Sequence, residues 1–255
     1  MDKLNSYDKI ILDGFGTLYD KNYIPLKGAN KLLKIIHEKS VLFSNVGSKT
    51  STTLKNDISK KFDIVPTEIL TSFDLLLLYI SELKIKEIFH FGGEHAENEL
   101  KNNGIVIDDR SQTIIFSSLP QSNWIQKSQL VLKKILHNQA SKIILANPDR
   151  IIISKHIGIN VGMMFDMLIK SWPSNVYENL ELIEIGKPNI SRKVFSINNS
   201  SKILVIGDNF ITDGGLASSL KADFCFIGDN LKKSESDTKF FSFKTLEDLL
   251  DNQSD

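Results

Sequence analysis

The sequence predicts an α/β protein: a Rossmann-like parallel sheet into which a second, smaller α/β unit is inserted. Three observations carry this reading. Short apolar runs alternate with amphipathic helical stretches; the pattern restarts near residue 86 and resumes its first form near 183; and the residues able to do chemistry fall just past the apolar runs. In an open parallel sheet that C-terminal edge of the strands is where ligands bind.

The first strand, Ile10-Ile11-Leu12, delivers Asp13 into Gly14-Phe15-Gly16-Thr17, a tight glycine turn. A carboxylate there serves as nucleophile or metal ligand, or simply caps the turn. Residues 26–39 carry Leu32, Leu33, Ile35 and Ile36 at helical spacing, entered through Lys27-Gly28-Ala29. A second strand, Val41-Leu42-Phe43, ends in Ser44-Asn45-Val46-Gly47-Ser48. That segment reads equally as an anion cradle or as a helix N-cap made by Ser44 or Ser48. A helix is expected over about 49–61, and another, started by Thr67 or its neighbour, over 69–83.

The inserted unit begins with a strand at 87–91 closing on Gly92-Gly93 and a helix at 94–101. Apolar runs follow at 105–107 and 113–116, then an amphipathic helix at 124–137. A strand at 142–145 ends in Ala146-Asn147-Pro148-Asp149-Arg150, before Ile151-Ile152-Ile153 and a helix at 161–170. The first pattern returns with a strand at 182–185 leading to Gly186-Lys187-Pro188, and a helix over 189–197. The strongly apolar 202–206 runs into Gly207-Asp208, with Asp213-Gly214-Gly215 close behind. A helix to 220, a strand at 224–227, a mixed-charge loop at 232–239, a helix at 246–250 and an acidic tail complete the chain. The expected division is a core of 1–72 and 183–255 around an inserted unit of 73–182.

Composition excludes some function classes. Of 255 residues, 31 are Lys or Arg and 31 are Asp or Glu, so no net field favours nucleic acid or an anionic membrane. The single cysteine, Cys225, lies in an apolar run and has no intramolecular partner, which fits a reducing compartment. The first residues lack the apolar core of a signal peptide, and the leucine run 75–78 is far too short to span a bilayer. The expected location is the cytoplasm.

Four strand ends therefore carry, in order, Asp13, Ser44, Lys187 and the pair Asp208/Asp213. Two carboxylates from different strands make an oxygen-rich site suited to Mg²⁺, and a lysine and a hydroxyl suit the remaining oxygens of a phosphoryl group. Each element has a plainer reading as a turn or a cap, but the order in which they occur resembles the haloacid dehalogenase superfamily. The motifs of that superfamily are Asp-x-Asp-Gly-Thr, a strand ending in Ser/Thr, a Lys, and Gly-Asp followed by a second Asp. The large insert resembles the α/β cap of class IIA, the group of p-nitrophenyl-phosphatase-like and sugar- or nucleotide-phosphate phosphatases. The stretches Ile24-Pro25-Leu26-Lys27-Gly28-Ala29, Ser44-Asn45, Ile69-Leu70-Thr71-Ser72, Ala146-Asn147-Pro148-Asp149 and Gly186-Lys187-Pro188 match that subclass.

The resemblance implies roles. Asp13 attacks phosphorus and becomes an aspartyl-phosphate. Mg²⁺ is held by Asp13, the backbone carbonyl of Phe15 and Asp208, with Asp213 as ligand or outer shell. Phosphoryl oxygens are bound by Ser44, Asn45, Lys187 and the turn amides of Gly14, Phe15 and Gly16, while Asn147 and Asp149 of the cap either face a small phosphorylated metabolite or belong to a simple Asn-Pro turn. Cap-to-cap homodimers occur among the look-alikes, and Met163, Met164, Phe165 and Met167 read either as such an interface or as core.

One position departs from the pattern. The family has an Asp two residues after the nucleophile, which protonates the leaving oxygen and later activates water; this chain has Phe15. A phenyl ring does neither, so the expected phosphatase is slow or uses an atypical acid–base group. Two alternatives stand beside it: a non-catalytic relative that binds a phospho-ligand or a protein, and a dehalogenase-type hydrolase, whose halide leaving group needs no proton.

Overall fold

The computed structural model describes residues 2–152, 158–173, 176–229 and 239–252. The third isoleucine of 151–153, the loop from 232 to 238 and the last three residues of the acidic tail lie outside them. In chain order the elements are α1 (Asp2–Asn5), β1 (Lys9–Leu12), α2 (Ala29–Ile36), β2 (Ser40–Ser44), α3 (Ser51–Ile58) and β3 (Glu68–Thr71). They continue with α4 (Ser72–Glu82), β4 (Glu87–Phe91), α5 (Glu94–Asn102), β5 (Val106–Ile107), β6 (Thr113–Phe116), α6 (Trp124–Leu136) and β7 (Lys142–Leu145). Then come β8 (Ile151–Ile152), β9 (Gly158–Ile159), α7 (Val161–Phe165), β10 (Glu181–Glu184) and β11 (Ile203–Gly207). The last are α8 (Gly215–Leu220), β12 (Asp223–Ile227), β13 (Phe240–Phe243) and α9 (Leu246–Asp251). Among the described residues no helix is long and apolar enough to cross a membrane.

Contacts divide the chain into two compact units, one of Met1–Ser44, Ser51–Leu70 and Lys187–Asp255, the other of Asn45–Thr50 and Thr71–Gly186. The division takes 45–50, which the sequence reading assigned to the core, into the second unit. In the first unit a six-stranded sheet runs β13-β12-β11-β1-β2-β3. β1 lies parallel between β11 and β2, with Leu12 level with both Ile206 and Leu42. Ile10, Ile11 and Leu12 are buried because helices cover both sides of such a sheet, which is why the strand reads as an unbroken apolar run. This register is what brings the residues that follow β1, β2 and β11 to one edge.

The second unit repeats the plan with a five-stranded parallel sheet in the order β10-β7-β6-β4-β5. Successive strand residues alternate between two cores. Phe89, Phe91, Ile114, Phe116, Ile143 and Leu145 face one; Ile88, Ile115 and Ile144 face the other with Phe73, Leu76 and Ile80 of α4. Phe116 stacks on Phe91 with ring centres 4.5 Å apart and meets Phe165 edge-on at 5.5 Å.

The structure corrects the expected helix over 69–83. Glu68–Thr71 is an edge strand, and the helix begins only at Ser72, because Thr71 and Asp74 form a capping box: Asp74 N donates to Thr71 Oγ1 at 3.0 Å and Thr71 N to Asp74 Oδ2 at 2.9 Å. The expected helix over 189–197 shrinks to a 3₁₀ turn at Arg192–Phe195, since Ser191 is extended and Ser196 turns left-handed at φ 53°. The antiparallel pair β8–β9 and the edge strand β13 were not anticipated. Helix α3 starts at Ser51, so neither Ser44 nor Ser48 is its N-cap.

Candidate active site

The site is built from the edge of the first sheet. Past Leu12 the ladder continues for one residue, with Asp13 N donating to Ile206 O at 2.9 Å. The chain then folds tightly on the Gly14 carbonyl, which accepts from the N–H groups of Thr17, Leu18 and Tyr19 at 3.3, 2.7 and 3.1 Å. Gly16 has φ +85°, and a Cβ there would lie 2.1 Å from Asp208 Oδ2, so conformation and space both require glycine. Thr17, fully buried, donates to Asp13 Oδ2 at 3.4 Å.

Lys187 follows the last residue of the second unit and is itself buried, 2% exposed. Its Nζ bonds Asp13 Oδ1 in a short contact and Asp213 Oδ1 at 2.7 Å, and lies 5.7 Å from the ring centre of Phe43. Asp208 and Asp213 follow β11. Asn209 organises them: its Oδ1 accepts from Ile211 N and Thr212 N, and its backbone N donates to Asp213 Oδ2 at 3.1 Å. The cap of this turn is thus Asn209, which leaves both aspartates for the site. Carboxylate oxygens of Asp13, Asp208 and Asp213 lie within 4.8 Å of one another.

Three carboxylates against one ammonium leave two negative charges when all are ionised. In the protein alone this excess is relieved by protonation: burial first, then the charges of Asp13 and Asp213, push the Asp208 carboxyl up from 3.8 to about 9, with Lys187 opposing. A divalent cation would supply the missing charge, and an all-oxygen donor set suits a hard one.

Ser44 ends β2 with 6% exposure. Its hydroxyl acts on the Tyr19 phenol in the sense that favours the phenolate. Tyr19 is 3% exposed; burial and the Asp13 charge push its phenol above the ordinary tyrosine range. Sequence reasoning offered Tyr19, Asp20, Glu94 and His95 as substitutes for the missing acid without placing any of them at the site; Tyr19 fills with its hydroxyl the space left by the absent Cβ of Gly14. Asp20, considered with it, spends its Oδ1 on the N–H groups of Asn22 and Ile24. Phe15 is partly exposed.

The remaining predicted site residues lie in the second unit. Asn45 Nδ2 donates to Asp149 Oδ1 at 2.9 Å, and Asp149 N donates to Asn147 Oδ1 at 3.1 Å. The three side chains thus form one network past the C-terminal end of β7.

The haloacid dehalogenase-like hydrolase family profile matches residues 10–106, the span that holds Asp13 to Thr17 and Ser44. Comparison with curated proteins returns no match. Among solved structures, a hypothetical protein from Pyrococcus horikoshii OT3 is 22% identical over 96% of this chain and 99% of its own, with a TM-score of 0.74. The 4-nitrophenylphosphatase of Thermotoga maritima is 18% identical over 97% and 98%, TM-score 0.76. NagD from E. coli K-12 is 18% identical over 94% and 97%, TM-score 0.70. At these identities the likeness is one of fold.

Proposed function

We propose, from the premise that this chain belongs to the haloacid dehalogenase-like family, that it is a Mg²⁺-dependent hydrolase of phosphatase type acting on a small phosphorylated metabolite. The observation that carries the reading is the convergence of Asp13, Asp208 and Asp213 on the buried Lys187. The donor set and its excess of negative charge fit Mg²⁺, with Asp13, Asp208 and the Phe15 carbonyl as ligands and Asp213 as ligand or outer shell. When bound, the ion offsets phosphoryl charge that the carboxylates would otherwise repel.

Lys187 orients the Asp13 carboxylate and offers positive charge to the phosphoryl oxygens, and the Ser44 hydroxyl adds a donor on the opposite strand. An Asp13 oxygen attacks phosphorus, the P–O bond to the leaving group breaks with its electron pair, and water later hydrolyses the aspartyl-phosphate. Phe15 donates no proton in either step. General acid–base catalysis is worth ~10²–10⁴-fold, so turnover is slow and favours leaving groups stable as anions.

Phe15 also favours a second reading, a relative that binds a phosphorylated ligand without turning it over. The dehalogenase reading has less support, because only the short stretch 19–25 separates the first motif from the next helical residues. Mg²⁺-dependent hydrolysis of p-nitrophenyl phosphate by the native protein and Asp13→Asn separates these. Turnover that disappears in Asp13→Asn supports the phosphatase; a silent native protein that still binds phosphate supports the binder; halide release from a 2-haloacid supports the dehalogenase.

A further inference from the structure

Ser44 and Lys187, the two side chains set against the phosphoryl oxygens, are also residues at which the chain passes between its units: the second unit takes it over at Asn45 and returns it after Gly186. Inside the second unit these two neighbours meet. A Cβ on Gly186, where φ is +123°, would lie 2.5 Å from Asn45 Oδ1, so glycine makes room for the amide. The other end of that amide is held as well, since Asn45 Nδ2 donates to Asp149 Oδ1 at 2.9 Å. Asp149 is fixed in its turn: its N–H donates to Asn147 Oδ1 at 3.1 Å, and its carbonyl accepts from Gly162 N of α7 at 3.2 Å. Asn45 and Asn147 are both buried. Two residues further on, a Cβ on Gly47 would lie 2.1 Å from Ser117 O, so the segment that leaves Ser44 is packed against the second unit a second time.

We infer that Asp149 is a positioning residue for phosphoryl binding: through its hydrogen bond to Asn45 it sets where the Ser44 hydroxyl stands. The inference rests on the phosphoryl-binding part of the proposed function, and it gives Asn45 and Asp149 a task other than contact with the ligand. Consecutive Cα atoms are ~3.8 Å apart across a rigid peptide plane. A fixed Asn45 therefore restrains Ser44 from its C-terminal side, where β2 ends. The restraint matters because a hydroxyl must stand within about 2.5–3.0 Å of its acceptor oxygen, so a displacement of about 1 Å forfeits the bond. Lys187 depends less on the segment before it, because Asp13 and Asp213 hold its Nζ directly.

The test is a double-mutant cycle on binding, with inorganic phosphate as the probe in the presence of Mg²⁺, measured by calorimetry for the native protein, Asp149→Ala, Asn45→Ala and the double variant. Asp149→Ala should weaken phosphate by about 5–10-fold, the worth of one ordinary hydrogen bond, and should add nothing once Asn45 is alanine. Asp149→Asn should regain most of that loss, because an amide oxygen accepts the same bond. Mg²⁺ affinity without phosphate should hold in Asp149→Ala, since the carboxylates proposed as ligands follow β1 and β11; an equal fall in both affinities would mean general loss of structure and overturns the inference. So do losses that add in the double variant, and a loss that Asp149→Asn does not restore. An Asp149 that faced the phosphoryl group would repel it, and one that touched only the organic part of a substrate would not act on inorganic phosphate; tighter or unchanged binding in Asp149→Ala therefore also overturns the inference. Phosphate binding with the expected cycle but no p-nitrophenyl phosphate turnover upholds the role of Asp149 and defeats the phosphatase reading. No phosphate binding in the native protein defeats both.

Discussion

Asp208 lies so close over Gly16 that a methyl group on residue 16 would meet its Oδ2 at 2.1 Å. Two segments nearly 200 residues apart are thereby locked: residue 16, in the turn after β1, cannot carry a side chain without displacing a carboxylate that follows β11. Gly16→Ala adds backbone strain at φ +85° to that collision. The expected outcome is a folded protein whose Mg²⁺ affinity falls by about 10–100-fold, as when support for a metal ligand is lost. Calorimetric Mg²⁺ titration of the variant checks it.

Lys187 pairs with Asp13 and Asp213 at once. Its replacement by methionine leaves two carboxylates buried without their counter-charge. Breaking a buried pair by removing one partner costs ~3–5 kcal/mol, so Lys187→Met should unfold at clearly lower temperature. On the proposed function Mg²⁺ would supply positive charge to the same oxygens, so it should raise the melting temperature of the variant by more than that of the native protein. Thermal unfolding with and without Mg²⁺ measures both effects, and equal shifts in the two proteins would sink the argument.

The edge that carries these residues was legible in the sequence because both of its determinants are local. Ile10–Leu12 and Ile203–Ile206 are apolar without interruption, as strands covered on both faces must be, and each ends in a glycine-bounded aspartate. The segment 69–71 was not legible: Ile-Leu-Thr suits a strand or a first helical turn, and the capping box of Thr71 with Asp74 decides between them. β13 was missed although Phe240, Phe241 and Phe243 are strand formers, because a charged loop precedes it and its partner, β12, sets its register. Tyr19 was named but could not be assigned to the site, since the approach of its hydroxyl to Gly14 depends on how the chain returns after Gly16.

The second unit contains a proton-sensitive point. His90 is 2% exposed, its Nε2 lies 2.7 Å from Ser117 Oγ, and its Nδ1 faces Glu97 of α5 at 3.6 Å. Lys101 of α5 and Lys127 of α6 flank Glu97 at 2.7 and 3.8 Å. Burial, then the Lys127 charge, lowers the imidazole from its ordinary 6.5 to about 4, with Glu97 opposing. The folded state therefore binds fewer protons than the unfolded one between those values. The stability that neutral His90 contributes is complete above pH 6.5 and drains away as pH falls towards 4, by on the order of 3 kcal/mol. Denaturant unfolding of the native protein and His90→Gln across that window should show curves that converge as the pH drops; parallel curves would refute the assignment.

Phe15 is the position where the chemistry is expected to respond most. It is partly exposed, and the family role of its backbone carbonyl does not depend on the side chain. Phe15→Asp therefore offers a carboxyl two residues beyond Asp13 without a cavity in the core and without loss of the proposed Mg²⁺ ligands. Restored proton transfer should raise hydrolysis of alkyl phosphates by about 10²-fold or more, because an alkoxide leaves poorly without a proton. Aryl phosphates such as p-nitrophenyl phosphate should gain less, since their leaving group departs as a stable anion. A plot of log kcat against leaving-group pKa should accordingly be steep for the native protein and shallow for Phe15→Asp. Equal slopes would mean that another group already supplies the proton, and the search would turn to side chains that close over the site only with substrate bound.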